Sequence, residues 1–136
     1  AAAAGIDGVS AGRRVGPRSG SDGGSVVISA SAPGVQVWLA TQPVDMRKSF
    51  DGLAEVVRSF LGRDPLSGHL FVFRNKSSQR VKILWWDREG LAIFYKRIER
   101  GEFSFPKGSD EKSIAIDSGQ LVRLLSGLEL AAKRTA

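Results

Sequence analysis

The chain has 136 residues, room for one domain with a modest core. It contains no cysteine, which excludes disulfides, thiolate nucleophiles and sulfur-built zinc sites; no apolar run approaches the ~18 residues of a membrane span. A soluble, cytoplasmic protein is expected. Twenty basic against 14 acidic side chains give +6 and a pI near 10.2, a balance that favours polyanionic partners and says nothing about fold.

In chain order, residues 1–33 come first, rich in Gly, Ala and Ser and free of aromatics. Such a segment buries too little apolar surface to offset its conformational entropy and is expected to be a disordered extension, with SVVIS (25–29) as its one candidate edge strand. Its arginines, Arg13, Arg14 and Arg18, could touch phosphate, but an extended translation start or a solvated tail is the favoured reading. From Val35 the pattern changes. VQVWLAT (35–41) reads as a strand and Pro43 breaks it. Asp45 stands where a helix N-cap would be, and Met46, Phe50, Leu53, Val57, Phe60 and Leu61 then recur at three- and four-residue steps. Arg47, Lys48, Asp51, Glu55 and Arg58 take the other side of that helix, and Gly62 ends it. Gly52 inside it costs up to ~1 kcal/mol relative to alanine and marks close packing.

HLFVFRN (69–75) reads as a second strand and KSSQ (76–79) as a turn. RVKILWW (80–86) and LAIFYKRIE (91–99) form a hairpin through Asp87, Arg88, Glu89 and Gly90. FSFP (103–106) is a short further strand stopped by Pro106, and KGSDEKS (107–113) an exposed loop. Asp117 and Gln120 have capping-box spacing. Leu121, Leu124, Leu125 and Leu128 follow as a short helix face, and AAKRTA (131–136) is a basic tail. These elements predict one α+β domain over residues 34–130: a small antiparallel sheet of three to five strands with two helices packed on one face.

Catalytic chemistry is thinly represented. His69 is the single histidine and has no partner visible in the sequence for acid–base work. Asp87 and Glu89 suit a hairpin turn. Asp51, Asp87 and Glu111 could be forced into a metal-holding triple of the kind used in phosphoryl transfer, but any chain this acidic offers one. No GxxxxGK[ST] loop and no GxSxG occur. The expectation is a protein that is not an enzyme, with no cofactor, no metal and no membrane partner. Between Arg74 and Arg100, by contrast, eight basic residues (Arg74, Lys76, Arg80, Lys82, Arg88, Lys96, Arg97, Arg100) outnumber Asp87, Glu89 and Glu99, so most of the net charge sits on the strand meander. Strand alternation tempers this. Val81, Ile83 and Trp85 share one face of their strand, and Arg80, Lys82, Leu84 and Trp86 the other. Neither face is purely polar, so the tryptophans read as core or protein interface in preference to base-stacking platforms, and the cations as a basic fringe open to a polyanion.

VWLATQPVDMRKSFDGLAEVV (37–57), DPLSGHLFVFRNK (64–76), KILWWDREGLAIFYKRIERGEFSFP (82–106) and QLVRLLSGL (120–128) resemble the accessory protein, second open reading frame or TnpB, of insertion-sequence family sixty-six. The likeness spans roughly residues 34–128, with several long motifs in order; Ser49 stands where the family commonly has glycine. It implies an accessory factor for transposition, encoded beside a separate transposase, and not the RNA-guided nuclease that shares the name. No catalytic residue carries over. The expected role is assistance of the element-encoded transposase at element-end DNA, with Arg47, Lys48, Arg80, Lys82, Lys96, Arg97 and Arg100 as candidate phosphate contacts. Arg47 and Lys48 are among them because they begin the expected first helix, where phosphate is favoured. The alternative is a module that binds the transposase without touching DNA, through a patch at Trp86 and Phe94.

Overall fold

In the computed structural model, Val26, residues 29–105 and residues 110–126 are described. Five strands form one sheet: β1 (Val37–Ala40), β2 (Leu70–Arg74), β3 (Arg80–Trp86), β4 (Leu91–Arg97) and β5 (Ser113–Ile116), in the order β4-β3-β2-β1-β5. Helix α1 (Phe50–Glu55) runs on into a π-helical turn (Val56–Phe60), and α2 (Ser118–Ser126) closes the described part.

The α+β class with five strands and two helices agrees with the sequence reading; two particulars of the architecture do not. The sheet is mixed, because β1 and β2 pair in parallel, Val37 opposite Leu70, while the other three pairings are antiparallel. A crossover helix returns the chain to the end from which it started, so α1, lying between β1 and β2, is what makes this pair parallel. The helices also lie on opposite faces. Leu121, Leu124 and Leu125 of α2 join Val37, Leu39, Leu70, Val72, Val81, Ile83 and Trp85. Leu53, Ala54 and Val57 of the first helix pack on Ala40, Phe71, Phe73, Leu84 and Ile93. These are alternate residues of the same strands, apolar on both sides, and each side needs its own cover.

The folded part reaches further toward the N-terminus than residue 34. Val26 and Ala30, spaced four apart on helical backbone, are buried in the α2-side core, so the region expected as a disordered extension contributes to packing at these positions; Val26 and Ser29, the described residues of SVVIS, are helical and not in an edge strand. Residues 1–25, 27 and 28 of the extension, Leu128 and the basic tail fall outside the described residues.

Local chemistry explains the other boundaries. Helix α1 begins at Phe50 with Ser49 at its N-cap position. Asp45 instead closes a turn: its Oδ1 accepts the Arg47 N–H (2.9 Å) and its carbonyl the Lys48 N–H (3.1 Å). Gly62, at φ +68°, stops the first helix as expected, and the Arg63 N–H reaches back to the Val57 carbonyl at 2.9 Å. Leu61 N–H donates to the Val56 carbonyl five residues back (3.0 Å), the mark of the π turn. There Val57 and Leu61 stay buried while Phe60, expected in the core face, is 41% exposed. Gly52 is tightly placed, but against Lys48: a Cβ there would come within 3.1 Å of the Lys48 Cβ.

The described residues of FSFP, 103–105, form no strand. Phe103 and Phe105 instead plug the α2-side core edge to face (centroids 6.3 Å apart), with the Phe103 N–H donating to the Ser78 carbonyl. The segment SIAI, whose first residue falls in the expected exposed loop 107–113, forms edge strand β5 on β1. The capping box at α2 is as expected: Asp117 Oδ1 accepts the Gln120 N–H (2.7 Å) and Gln120 Oε1 the Asp117 N–H (2.9 Å). His69 is structural, its Nδ1 accepting the Gln36 N–H at 3.0 Å where β1 and β2 begin.

Candidate functional site

Lys82 organises the α1 face. It lies mid-strand in β3 and is only 7% exposed. Its ammonium donates to the carbonyls of Met46 and Lys48, both at 2.8 Å, and stands 4.7 Å over the Tyr95 ring. Burial lowers its pKa, opposed by the charge of Asp45. In a helix starting at Asp45 those two carbonyls would face the N–H groups of Phe50 and Gly52; here they accept from the Lys82 ammonium. Lys82 is thus an internal tie that lashes the 45–48 turn to the sheet, and it is not available as a phosphate contact.

Around that tie other cations gather. Arg80 donates from Nη1 to the Tyr95 hydroxyl (3.0 Å), and Arg97 is its cross-strand neighbour. Both side chains lie on the α1 face, as alternation from Lys82 and Tyr95 requires. Arg47 and Lys48 sit in the turn that Lys82 holds above the same strands, and not at a helix N-terminus. Arg47 is clasped by Asp45 through Nε (3.1 Å) and Nη2 (2.8 Å), a contact that holds the Asp45 carboxyl down to about 2. Arg97 faces Glu99 at 3.3 Å. Both pairs are largely exposed, and solvent screening makes such pairs weak, so another anion can displace either carboxylate. Arg80 and Arg97 thus flank Tyr95, and with Arg47 and Lys48 on the turn tied over the same strands they make up one cationic corner of the α1 face.

The remaining candidates are elsewhere. Lys96 points to the other face and donates to the Leu125 carbonyl (2.6 Å), satisfying the C-terminal end of α2. It too is structural. Arg100 is exposed beyond the end of β4. Trp86 and Phe94 do not form one patch: register pairs Phe94 with Ile83 on the α2 face and Trp86 with Leu91 on the α1 face. Trp85 belongs to the core, 5% exposed. Asp51, Asp87 and Glu111 are not brought together. Asp87 follows β3 at one end of the sheet, whereas Glu111 precedes β5 at the other end and three strands away, roughly 14 Å by strand spacing alone. Among the described residues no group of three His, Cys, Asp or Glu side chains could hold a metal ion, and no helix is long and apolar enough to cross a membrane.

The α1 face also contains features that sequence reasoning missed. The Arg63 guanidinium lies 3.3 Å over the Trp38 ring with its Nε on Ser113 Oγ (3.2 Å). Lys112 Nζ stands 5.0 Å from the Phe60 ring centroid. Beside them opens a cleft of about 300 Å³ walled by Ala40, Pro43, Val44, Val56 and Phe60, with Gln42, Asp45 and Lys48 as its polar members. These partners are tens of residues apart in sequence, and no local spacing announces them.

Fold and site together define a small α+β domain with a cationic corner on its α1 face. Its family is settled by comparison: the family model described as IS66 Orf2 like protein matches residues 35–135, and the chain belongs to that family, which is transposition-associated and accessory in kind. Similar proteins include two from Sinorhizobium fredii (strain NBRC 101917 / NGR234). "Uncharacterized protein y4hO" is 43% identical over 73% of this chain and 85% of its own length. "Uncharacterized protein y4jC" is 36% identical over 71% of this chain and 81% of its own. No solved structure matches the chain.

Proposed function

We propose that the protein is a non-catalytic accessory factor that assists the element-encoded transposase at element-end DNA, using the cationic corner of the α1 face as its phosphate contact. The observation that carries this reading is that the Lys82 tie sets the turn of Arg47 and Lys48 over the strands that carry Arg80 and Arg97, with two of the four held only by exposed carboxylates. The Arg80 guanidinium, pre-placed by the Tyr95 hydroxyl, loses little freedom when it takes a phosphate. The corner has no deep base-reading element, so it supports backbone contact in preference to sequence readout. Arg100 extends the same positive end.

The test is a salt titration of duplex DNA binding. Arg47→Gln with Lys48→Gln should lower the slope of log affinity against log salt by up to ~2, on the rule of about one per phosphate contact. Undetectable DNA affinity at low salt would overturn the proposal and leave transposase binding as the alternative role.

A further inference from the structure

The cleft beside the π turn lies on the same face as the cationic corner but differs from it in chemistry. Five of its walls are apolar, and its carboxylate, Asp45, is already committed to Arg47. The π turn leaves Phe60 at the mouth, 41% exposed, while its neighbours Val57 and Leu61 go to the core. A large exposed aromatic beside an apolar hollow is a feature that packing of this chain does not use.

Three cations surround it. Lys48 lines the cleft, and Lys112 caps the Phe60 ring. Arg63 is one strand away, since the Ser113 that holds its Nε pairs directly with Ala40 of the cleft wall. Stacking on Trp38 and the Ser113 bond fix this guanidinium, yet no described carboxylate pairs with it and its two terminal nitrogens donate to nothing among the described residues. A guanidinium held flat with its outer fork free is suited to a carboxylate.

We infer that this cleft docks a segment of a protein partner in which one bulky apolar side chain is flanked by carboxylates. The apolar side chain fills the hollow against Val44, Val56 and Phe60, and the carboxylates meet Lys48, Lys112 and Arg63. Charge selects this occupant over others. A second copy of this chain, at +6, would bring positive charge to a positive rim. A nucleobase would bury its polar edge against walls whose uncommitted polar side chains are Gln42 and Lys48, leaving most of that edge unpaired.

The probe is a random-peptide phage library selected on the full chain, followed by fluorescence-anisotropy titration of the enriched peptides. The expected peptides carry Phe, Leu or Trp flanked by Asp or Glu. Phe60→Asp should weaken them about tenfold or more, with circular dichroism unchanged because the ring is surface-placed. Lys48→Glu with Lys112→Glu should abolish the preference for acidic flanks while leaving the fold intact. Enrichment of peptides without acidic flanks, or of peptides that Phe60→Asp binds equally well, would overturn the inference. So would duplex DNA that displaces the peptides and is itself weakened by Phe60→Asp, since the cleft would then be a nucleic-acid site. The cationic-corner reading survives any of these results, because its own readout is the effect of Arg47 and Lys48 on the DNA salt slope.

Discussion

The two faces of the sheet are made from alternate residues of the same strands, and they have been put to different uses. On the α2 side, Val37, Leu39, Leu70, Val72, Val81, Ile83 and Trp85 meet Val26, Ala30, Phe103 and the leucines of α2, and the cation at the margin, Lys96, is consumed by a helix carbonyl. On the α1 side the cover is polar at one end: a buried lysine, a tyrosine between cations, and a turn whose carbonyls serve as lysine acceptors. One face is closed around apolar area and stabilises the domain. The other gives up part of its cover to cations, an exposed ring and a cleft, features that packing alone does not require. Lys96 and Arg97 show how fine the division is, since adjacent residues of β4 belong to opposite roles.

The largest expected effect lies on the closed face. Leu121 is fully buried, and Leu121→Ala should cost about 2–5 kcal/mol of unfolding free energy in urea titration, without changing the salt slope of DNA binding wherever the variant is folded. A change in slope would mean that the faces are not separable. Next comes Lys82→Met, which keeps the stem and removes the ammonium from the Met46 and Lys48 carbonyls. A loss of about 1–3 kcal/mol is expected, together with weaker DNA binding, because the turn carrying Arg47 and Lys48 is no longer fixed. Unchanged stability would remove the tie from the account.

A smaller effect is expected in acid. The folded pKa of Asp45 is depressed, from 3.8 to about 2. Its contribution to stability is therefore present above pH 3.8 and is lost as pH falls through about 2. Carboxyl carbon NMR should show Asp45 titrating near pH 2 in the native protein, and nearer its ordinary value in Arg47→Gln; no difference between the two would break the assigned cause. The smallest effect is that of Asp45→Asn, which can keep the turn bond to the Arg47 N–H while releasing the guanidinium. It should strengthen DNA binding a few-fold at low salt, and a weakening would show that the clasp, and not the free cation, is what DNA uses.

The sequence made the helix and strand segments of 37–97 legible because their periodicities are strong, and the capping box of Asp117 and Gln120 was legible because its chemistry is local. Two features escaped for lack of a local signal. SIAI is short and lies next to a polar loop, so nothing marked its pairing with β1. Lys82 alternates onto the same side as Arg80 and looks like one more exposed cation; only the return of the 45–48 turn, 34 to 36 residues distant in sequence, buries it. Lys96 is disguised in the same way by Leu125, 29 residues on. The parallel β1–β2 pair was in principle readable, since a helix between two strands is the mark of a crossover. The assignment of both helices to one face failed because it counted helix faces and overlooked that β2 and β3 are apolar on both sides. Of seven candidate cations, the corner brings together Arg47, Lys48, Arg80 and Arg97, while long-range contacts withdrew Lys82 and Lys96.

The central claim, that function sits on the α1 face and stability on the α2 face, is tested most directly by the neighbours Lys96 and Arg97. Duplex DNA binding is titrated with salt for Lys96→Gln and Arg97→Gln beside the unmodified chain. The account predicts that Arg97→Gln lowers the slope by about 1 with stability little changed. Lys96→Gln should leave the slope alone and cost about 0.5–1.5 kcal/mol in urea as α2 loses its terminal hydrogen bond. Equal slopes for both variants, or a larger drop for Lys96→Gln, would contradict it.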